Sequence, residues 1–152
     1  MPQIGPGKAA PFETHARDTG RMRVTGELPD QYKFLTPSLR NVSQTGPYGH
    51  NGAYASLEAV VRHHLDPVTA MYAYDPTQAV FHVIDPADDW RVVEDSEELA
   101  RISAANELPP TALGNDAVSD LLAFLHSLTD TGATKGRLGV PAKVPSGLPV
   151  DQ

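Results

Sequence analysis

Cysteine is absent from the sequence of 152 residues. The chain can therefore form no disulfide bond and offers no thiolate ligand to a metal ion. Because thiols are the residues that report on redox conditions, their absence leaves the redox compartment of the protein undetermined.

Basic residues and long apolar stretches are also scarce. Lysine and arginine number 12 against 19 aspartate and glutamate residues, which gives a formal net charge of −7. There is no basic stripe along the sequence, so nucleic acid and anionic membrane surfaces are poor partners. No run of apolar residues reaches the length of a membrane-spanning helix, and we predict no membrane span.

Glycine and proline, by contrast, are abundant, with 12 and 14 residues. They interrupt regular structure and favour long loops. Together with the helical segments described below, they predict a mostly α fold of short helices joined by long loops. A chain of this length suits one domain. We expect a loop-rich N-terminal segment at 1–35 that wraps a cofactor or a neighbouring domain, a partial domain at 36–130, and an extended tail at 131–152.

A short amphipathic helix after Ser56 carries the most informative side chains. Ser56 is suited to cap the helix, and Pro67 ends it because proline lacks a backbone N–H. At 3.6 residues per turn, one face contains Leu57, Val60, Val61, His64 and Leu65. This pattern predicts that His64 lies within the buried stripe and that His63 lies well away from it.

A histidine on an apolar face has two interpretations. The first is a buried imidazole that bonds a backbone carbonyl and has only a structural role. The second is a neutral imidazole that meets a metal ion or a flat apolar cofactor such as haem. The residues alone leave both open.

Three further helical segments are predicted from caps and apolar spacing. Thr36 and Pro37 begin a helical turn through Asn41, with a threonine N-cap followed by proline. A helix at 97–105 follows a Ser96 cap. A third helix at 116–128 has an apolar stripe that we assign to the core, formed by Val118, Leu121, Leu122, Leu125 and Leu128.

The stretch TPSLRNVSQTGPYGHNGAYASLEAVV, at 36–61, resembles the C-terminal haem domain of bacterial di-haem cytochrome c peroxidases and their tryptophylquinone-forming relatives. Those proteins contain TPSLRNVxLTxPYxHxG followed by a helix of the type Thr/Ser-Leu-Glu-Glu-x-Val. Two flanking segments are similar to further family landmarks, in the right order. The first segment is DTGR at 18–21 with the following pair Val24-Thr25. The second is LLAFL at 121–125 with SLT at 127–129.

The resemblance implies a cytochrome c-like fold and an axial haem ligand. In the family, the last turn of the helix after PYxHxG supplies the distal ligand of the high-potential haem, as methionine or tyrosine. His64 occupies that register here, so a haem c bound by two histidines is expected, with a lower reduction potential than Met/His ligation gives. Met71 is the rival ligand, but it follows Pro67 and misses the family register.

The resemblance also suggests roles for four residues in the preceding loop. Backbone carbonyls of Thr45 and Pro47 match positions that help to hold calcium, for which oxygen ligands are appropriate. His50 either lines the haem edge or braces the loop by a hydrogen bond. Arg40 either contacts a haem propionate or forms an ion pair. The sequence does not separate the alternatives for His50 and Arg40.

The family attaches each haem through C-x-x-C-H, which this sequence lacks. We therefore expect the chain to be the C-terminal part of a longer periplasmic protein and to be no competent peroxidase by itself. Its expected partners are a haem domain of the same protein, a small electron-donor protein, and hydrogen peroxide or a related oxidant. The alternatives are a haem-binding electron-transfer domain without peroxidase turnover, and a metal-binding protein that uses His50, His63 and His64.

Overall fold

Short helices joined by long loops form the fold in the computed structural model, which describes residues 17–80, 90–132 and 145–147. The helices are α1 (Met22–Thr25), α2 (Leu57–Leu65), α3 (Pro67–Tyr72), α4 (Arg91–Glu94), α5 (Ser96–Ala104) and α6 (Asn115–Ser127). Single 3-10 turns lie at Leu28–Asp30, Val42–Gln44, His50–Gly52 and Pro76–Gln78. The β pairing in the described residues consists of isolated bridges, Gly20–Lys33 and Tyr48–Tyr54. The predicted mostly α class is confirmed.

The hydrophobic core consists of two clusters of buried residues. The first brings together buried residues from the loops and from α2 to α5, namely Tyr32, Ala53, Tyr54, Val60, Met71, Val92, Leu99 and Ile102. The second lies between α2 and α6 and contains Val61, Val118 and Leu125. Leu57 packs against both clusters, so α2 is the element that joins them.

The apolar stripe of α6 is confirmed as core. Val118 and Leu125 are buried, while three further leucines pack against the same cluster, Leu121, Leu122 and Leu128. The helix begins at Asn115 rather than after it, and Gly114 stands at the N-cap without a side-chain bond.

In α5, which matches the helix predicted at 97–105, Leu99 and Ile102 are buried. The predicted cap is wrong, because Asp95 and not Ser96 caps the helix. The Asp95 side chain accepts from the backbone N–H groups of Glu97 and Glu98, each at 3.0 Å. An aspartate with two amide donors satisfies more of the free helix end than one hydroxyl would.

The predicted helical turn from Pro37 to Asn41 is wrong. Residues 36–39 have no regular structure, and Asn41 has a left-handed backbone with φ 60°. Asn41 instead bonds the end of α6: its N–H donates to the Leu128 carbonyl at 3.1 Å, and its side-chain oxygen accepts from the Asp130 N–H at 2.6 Å. These tertiary bonds replace the local ones that the cap signal predicted.

The predicted division at residues 35 and 130 stays a prediction. Much of the N-terminal segment and of the tail lies outside the described residues, at 1–16, 133–144 and 148–152.

Among the described helices, none combines the length and the apolar character that crossing a bilayer requires.

Candidate functional site

The loop before α2 is held in shape by a short backbone pairing. The N–H of Tyr48 donates to the Tyr54 carbonyl at 2.8 Å, and the N–H of Tyr54 donates to the Tyr48 carbonyl at 2.9 Å. At the chain reversal between them, Gly52 has φ 73°, and a Cβ there would lie 2.4 Å from the Val80 carbonyl oxygen. Glycine is therefore required at this position.

The start of α2 is capped as the sequence predicts. The Ser56 hydroxyl accepts from the Ala59 N–H at 3.1 Å, and Glu58 lies in the first turn, where a negative charge is favoured. The helix ends at Leu65, and Asp66 and Pro67 begin α3 directly.

The predicted burial of the two adjacent histidines is wrong. His63, expected away from the buried face, is only 2% exposed. His64, expected in the middle of the stripe, is exposed. The apolar-face argument for His64 as a ligand is therefore lost, and the ligand assignment stays a prediction that rests on the register of the resemblance.

The burial of His63 instead of His64 arises because α2 packs on two sides rather than one. Ala59 and Val60 contact the first cluster, while Val61 and Leu65 contact the second. On a helical wheel, His63 lies about 40° from Ala59 and is enclosed with the first cluster. His64 projects about 40° from Val60 and about 60° from Val61, between the two clusters, where its ring stays open.

The hydrogen bond of His64 fixes which ring nitrogen is available. Its Nδ1 lies 2.7 Å from the Val60 carbonyl oxygen. A carbonyl only accepts, so Nδ1 carries the proton and donates, and Nε2 is the ring nitrogen left to act as a ligand. An imidazole oriented by a backbone carbonyl in this way is a suitable axial ligand for iron. The donor chemistry of His64 therefore fits a haem.

His63 and Tyr54 form a buried pair beside His64. The Tyr54 hydroxyl and His63 Nδ1 are 3.0 Å apart, and Nε2 of His63 is buried without a hydrogen-bond partner in the described part of the chain. The His63 ring meets the His64 ring edge-on, with centroids 5.7 Å apart and planes at 89°. Burial, reinforced by the neighbouring His64, lowers the pKa of His63 from 6.5 to about 4. Near neutral pH this imidazole is uncharged.

His50 begins the 3-10 turn in the PYGHNG loop and faces other residues. Its ring centroid lies 5.0 Å from that of Phe34, and its Nε2 lies 3.5 Å from a carboxylate oxygen of Asp18. Burial lowers the pKa of His50 below 6.5, although the charge of Asp18 opposes this effect. His50 Nε2 is buried and makes no hydrogen bond with the described residues, so both roles of His50, at the haem edge and in bracing the loop, stay predictions.

Arg40 and the proposed calcium carbonyls lie on the surface. The Arg40 guanidinium donates to Asp130, just after α6, so the ion-pair alternative is present in the structure. Thr45 and Pro47 are in an exposed loop, where the Thr45 hydroxyl donates to the Val42 carbonyl at 3.2 Å. The calcium and propionate roles stay predictions.

The rival ligand Met71 is 2% exposed and belongs to the first hydrophobic cluster. Its thioether is enclosed by core side chains, whereas the His64 ring is open. No set of three or more histidine, aspartate or glutamate side chains is grouped closely enough to hold a metal ion anywhere in residues 17–80, 90–132 and 145–147.

Sequence reasoning missed the Tyr54–His63 pair and the buried Glu98. Glu98 is 1% exposed and accepts from Tyr32, Arg17 and Arg101. A glutamate in the first turn of a helix normally indicates a solvated residue, so its position gave no signal of burial. For Tyr54 a signal existed, since a tyrosine two residues before a helix cap is well placed to cover that helix.

Comparison with curated proteins gives several relatives. The chain is 44% identical to the cytochrome c peroxidase Ccp of Escherichia coli over 116 residues, 76% of this chain and 16% of the relative. It is 31% identical to the methylamine utilization protein MauG of Methylophilus methylotrophus over 105 residues, 69% of this chain and 22% of the relative. It is 46% identical to the cytochrome c551 peroxidase of Nitrosomonas europaea over 55 residues, 36% of this chain and 16% of the relative. No family model and no solved structure matches the chain.

Proposed function

The chain belongs to the family of the cytochrome c peroxidases and MauG, and we propose that it holds the distal side of a haem c whose iron is bound by His64. The chain spans only 16 to 22% of the length of these relatives. The activity, substrates and partners given below for the whole protein are therefore part of the proposal.

One observation carries the assignment of His64. Its Nδ1 donates to the Val60 carbonyl at 2.7 Å, so Nε2 is the ring nitrogen left to bind iron, and the residue is exposed. The same residue occupies the ligand register of the resemblance, counted from the PYGHNG loop. The two supports are independent, because one comes from hydrogen bonding and the other from sequence order.

The surroundings of His64 support an apolar cofactor. The loop after α5 is tied to the end of α2 by the Thr111 N–H, which donates to the Leu65 carbonyl at 2.7 Å. Exposed leucines stand on both sides of Thr111 in this loop, Leu108 and Leu113. Apolar side chains that cover a porphyrin shield it from water and so affect its reduction potential.

Bound haem would supply one-electron redox chemistry, and this chain would supply ligation and orientation. His64 gives the axial nitrogen, and Val60 holds its tautomer. Because imidazole replaces the thioether that raises haem potentials, we expect His64→Met to raise the reduction potential of this haem. A potentiometric titration of both proteins measures the difference.

The family supports the rest of the proposal. The chain would be the C-terminal part of a periplasmic di-haem oxidoreductase, and His64 would hold the haem that relays electrons to a second, peroxide-reacting haem. A small donor protein supplies the electrons, and hydrogen peroxide or a related oxidant accepts them. The haem domain that completes the protein carries the attachment motifs.

The surface residues have secondary roles in the proposal. Arg40, now paired with Asp130, would exchange that partner for a haem propionate. Calcium would bind to the Thr45 and Pro47 carbonyls together with a ligand from the other haem domain. Titration of the calcium-depleted full-length protein with calcium, followed by calorimetry, tests the second role.

Peroxide turnover tests the function as a whole. The protein expressed from the full reading frame, with haem-attachment machinery, is expected to contain haem c and to consume hydrogen peroxide when an electron donor is present. A holoprotein that exchanges electrons with the donor but leaves peroxide intact would instead be an electron-transfer protein. A full-length protein without haem would contradict the proposal entirely.

A further inference from the structure

A chain of ring contacts leads from the core to His64. The His64 ring meets the His63 ring edge-on at 5.7 Å, and the His63 ring meets the Tyr54 ring at 5.6 Å. The Tyr54 ring in turn meets Tyr74 at 5.6 Å and 84°. The exposed imidazole is therefore connected to rigid core side chains.

The inner part of this chain is fixed by hydrogen bonds as well as by packing. Tyr54 is 4% exposed and His63 is 2% exposed, and the Tyr54 hydroxyl lies 3.0 Å from His63 Nδ1. The Tyr74 hydroxyl donates to the Ala53 carbonyl at 2.6 Å. Neither His63 nor Tyr54 can rotate without breaking a buried polar contact, which is costly.

The direction of the Tyr54–His63 bond follows from counting unsatisfied groups. If the hydroxyl donates to Nδ1, one buried group, the Nε2–H of His63, is left without a partner. If Nδ1 donates instead, the hydroxyl proton and the Nε2 lone pair are both left unpaired. Buried polar groups are normally satisfied, so the first arrangement is favoured, and Tyr54 holds His63 by donating to it.

We propose that His63 and Tyr54 are positioning residues that set the plane of the His64 imidazole. The bond to Val60 fixes one edge of the His64 ring, but it leaves the ring free to tilt about that edge. The His63 ring, held by Tyr54, packs beside the His64 ring at an interplanar angle of 89° and so limits this tilt. The hydrogen bond to Val60 and the contact with the His63 ring together define the plane of the His64 imidazole, which the hydrogen bond alone would not do.

The inference rests on the proposed function, because the plane of an imidazole has a chemical consequence once the ring binds haem iron. The orientation of an axial ligand influences the electronic structure of the metal, and residues behind the ligand maintain that orientation. In ferric low-spin haem with two imidazole ligands, the angle between the two ligand planes influences the g-values of the electron paramagnetic resonance spectrum. These g-values therefore report the orientation of His64 without any measurement of turnover.

Tyr54→Phe is the main test, carried out in the full-length holoprotein. Phenylalanine keeps the ring packed against Tyr74 and removes only the hydroxyl that holds His63. We expect the low-spin ferric signal to remain, with shifted and broadened g-values, and the reduction potential to change with it. Tyr72→Phe is the matched control, since Tyr72 is 56% exposed, and it should reproduce the wild-type spectrum.

His63→Gln provides an independent second variant. The glutamine amide can still accept from Tyr54 but presents no ring to His64, so its g-values should shift as well. Wild-type g-values and potential in both folded variants would overturn the inference while leaving the proposed function intact. A wild-type holoprotein without a low-spin signal, or with one that survives His64→Ala, would instead defeat the proposed function.

Discussion

Glu98 connects the segment before α1 with α5 through a buried carboxylate. It is 1% exposed, and it contacts Arg17 at 3.3 Å, Arg101 at 2.8 Å and the Tyr32 hydroxyl. Burial and the nearby carboxylate raise the pKa of Tyr32 to about 12, so the phenol keeps its proton and donates. A buried charge with three donors is stable only while they all remain.

Removing that charge should destabilise the fold. Glu98→Gln keeps the size of the side chain but leaves two guanidinium groups without their common partner. We expect a loss of about 3 kcal/mol in the free energy of unfolding, measured by chemical denaturation. Glu97→Gln is the control, because Glu97 is exposed and forms a longer ion pair of 3.7 Å with Arg101. Its effect on the free energy of unfolding should stay within about 0.5 kcal/mol. Equal effects of the two changes would show that the buried cluster is not what stabilises the fold.

The buried His63 makes stability depend on pH. Burial first, and then the neighbouring His64, lowers its pKa to about 4 from the ordinary 6.5. Between these values the unfolded chain binds a proton that the folded chain does not, so the unfolded state is favoured as the pH falls. The contribution of His63 is fully present above pH 6.5 and is lost progressively towards pH 4.

We expect about 3 kcal/mol of stability to be lost across that window, as the difference between wild type and His63→Gln. Denaturation curves recorded from pH 7 to pH 4 measure it, since glutamine does not titrate and removes this dependence. Parallel curves for the two proteins would mean that His63 titrates normally in the folded state.

Among the elements, α2 determines the geometry of the candidate site. Its cap, its length and its position between two clusters together decide which histidine is enclosed and which is open. The helix has only nine residues, so most of its stability comes from packing and from its ends.

Loss of the α2 cap should therefore be measurable. Ser56→Ala leaves the Ala59 N–H without its acceptor, and we expect a cost of about 1 kcal/mol in the free energy of unfolding. Ser56→Asp restores an acceptor and adds a favourable charge at the helix start, so it should regain wild-type stability. If aspartate were as destabilising as alanine, the hydroxyl would be acting in some way other than as a cap.

The helices show how far sequence patterns extend. The Ser56 cap predicts the start of α2, and apolar spacing predicts α6 to within a residue, because those signals are local. The same reasoning fails at Asn41, whose backbone bonds Leu128 across the molecule, and at the His63–His64 pair. A helical wheel identifies an apolar face, but it does not show that two separate clusters divide that face and leave a gap between them.

At the scale of the whole molecule, polar links between distant segments close the fold. Arg40 donates to Asp130, Arg17 pairs with Glu98, and the Thr111 N–H donates to the Leu65 carbonyl. The spacing of residues along the sequence does not indicate such long-range hydrogen bonds and ion pairs, so it does not predict how the helices are arranged. The last of these links holds the end of α2, the helix that carries His64.

Binding of haem iron by His64 is tested by the visible absorption spectrum of the full-length His64→Ala holoprotein. We expect the alanine variant to lose the low-spin ferric spectrum, and added imidazole, entering the space of the missing side chain, to restore it. A low-spin spectrum that is unchanged in the alanine variant and insensitive to imidazole would show that His64 is not the ligand.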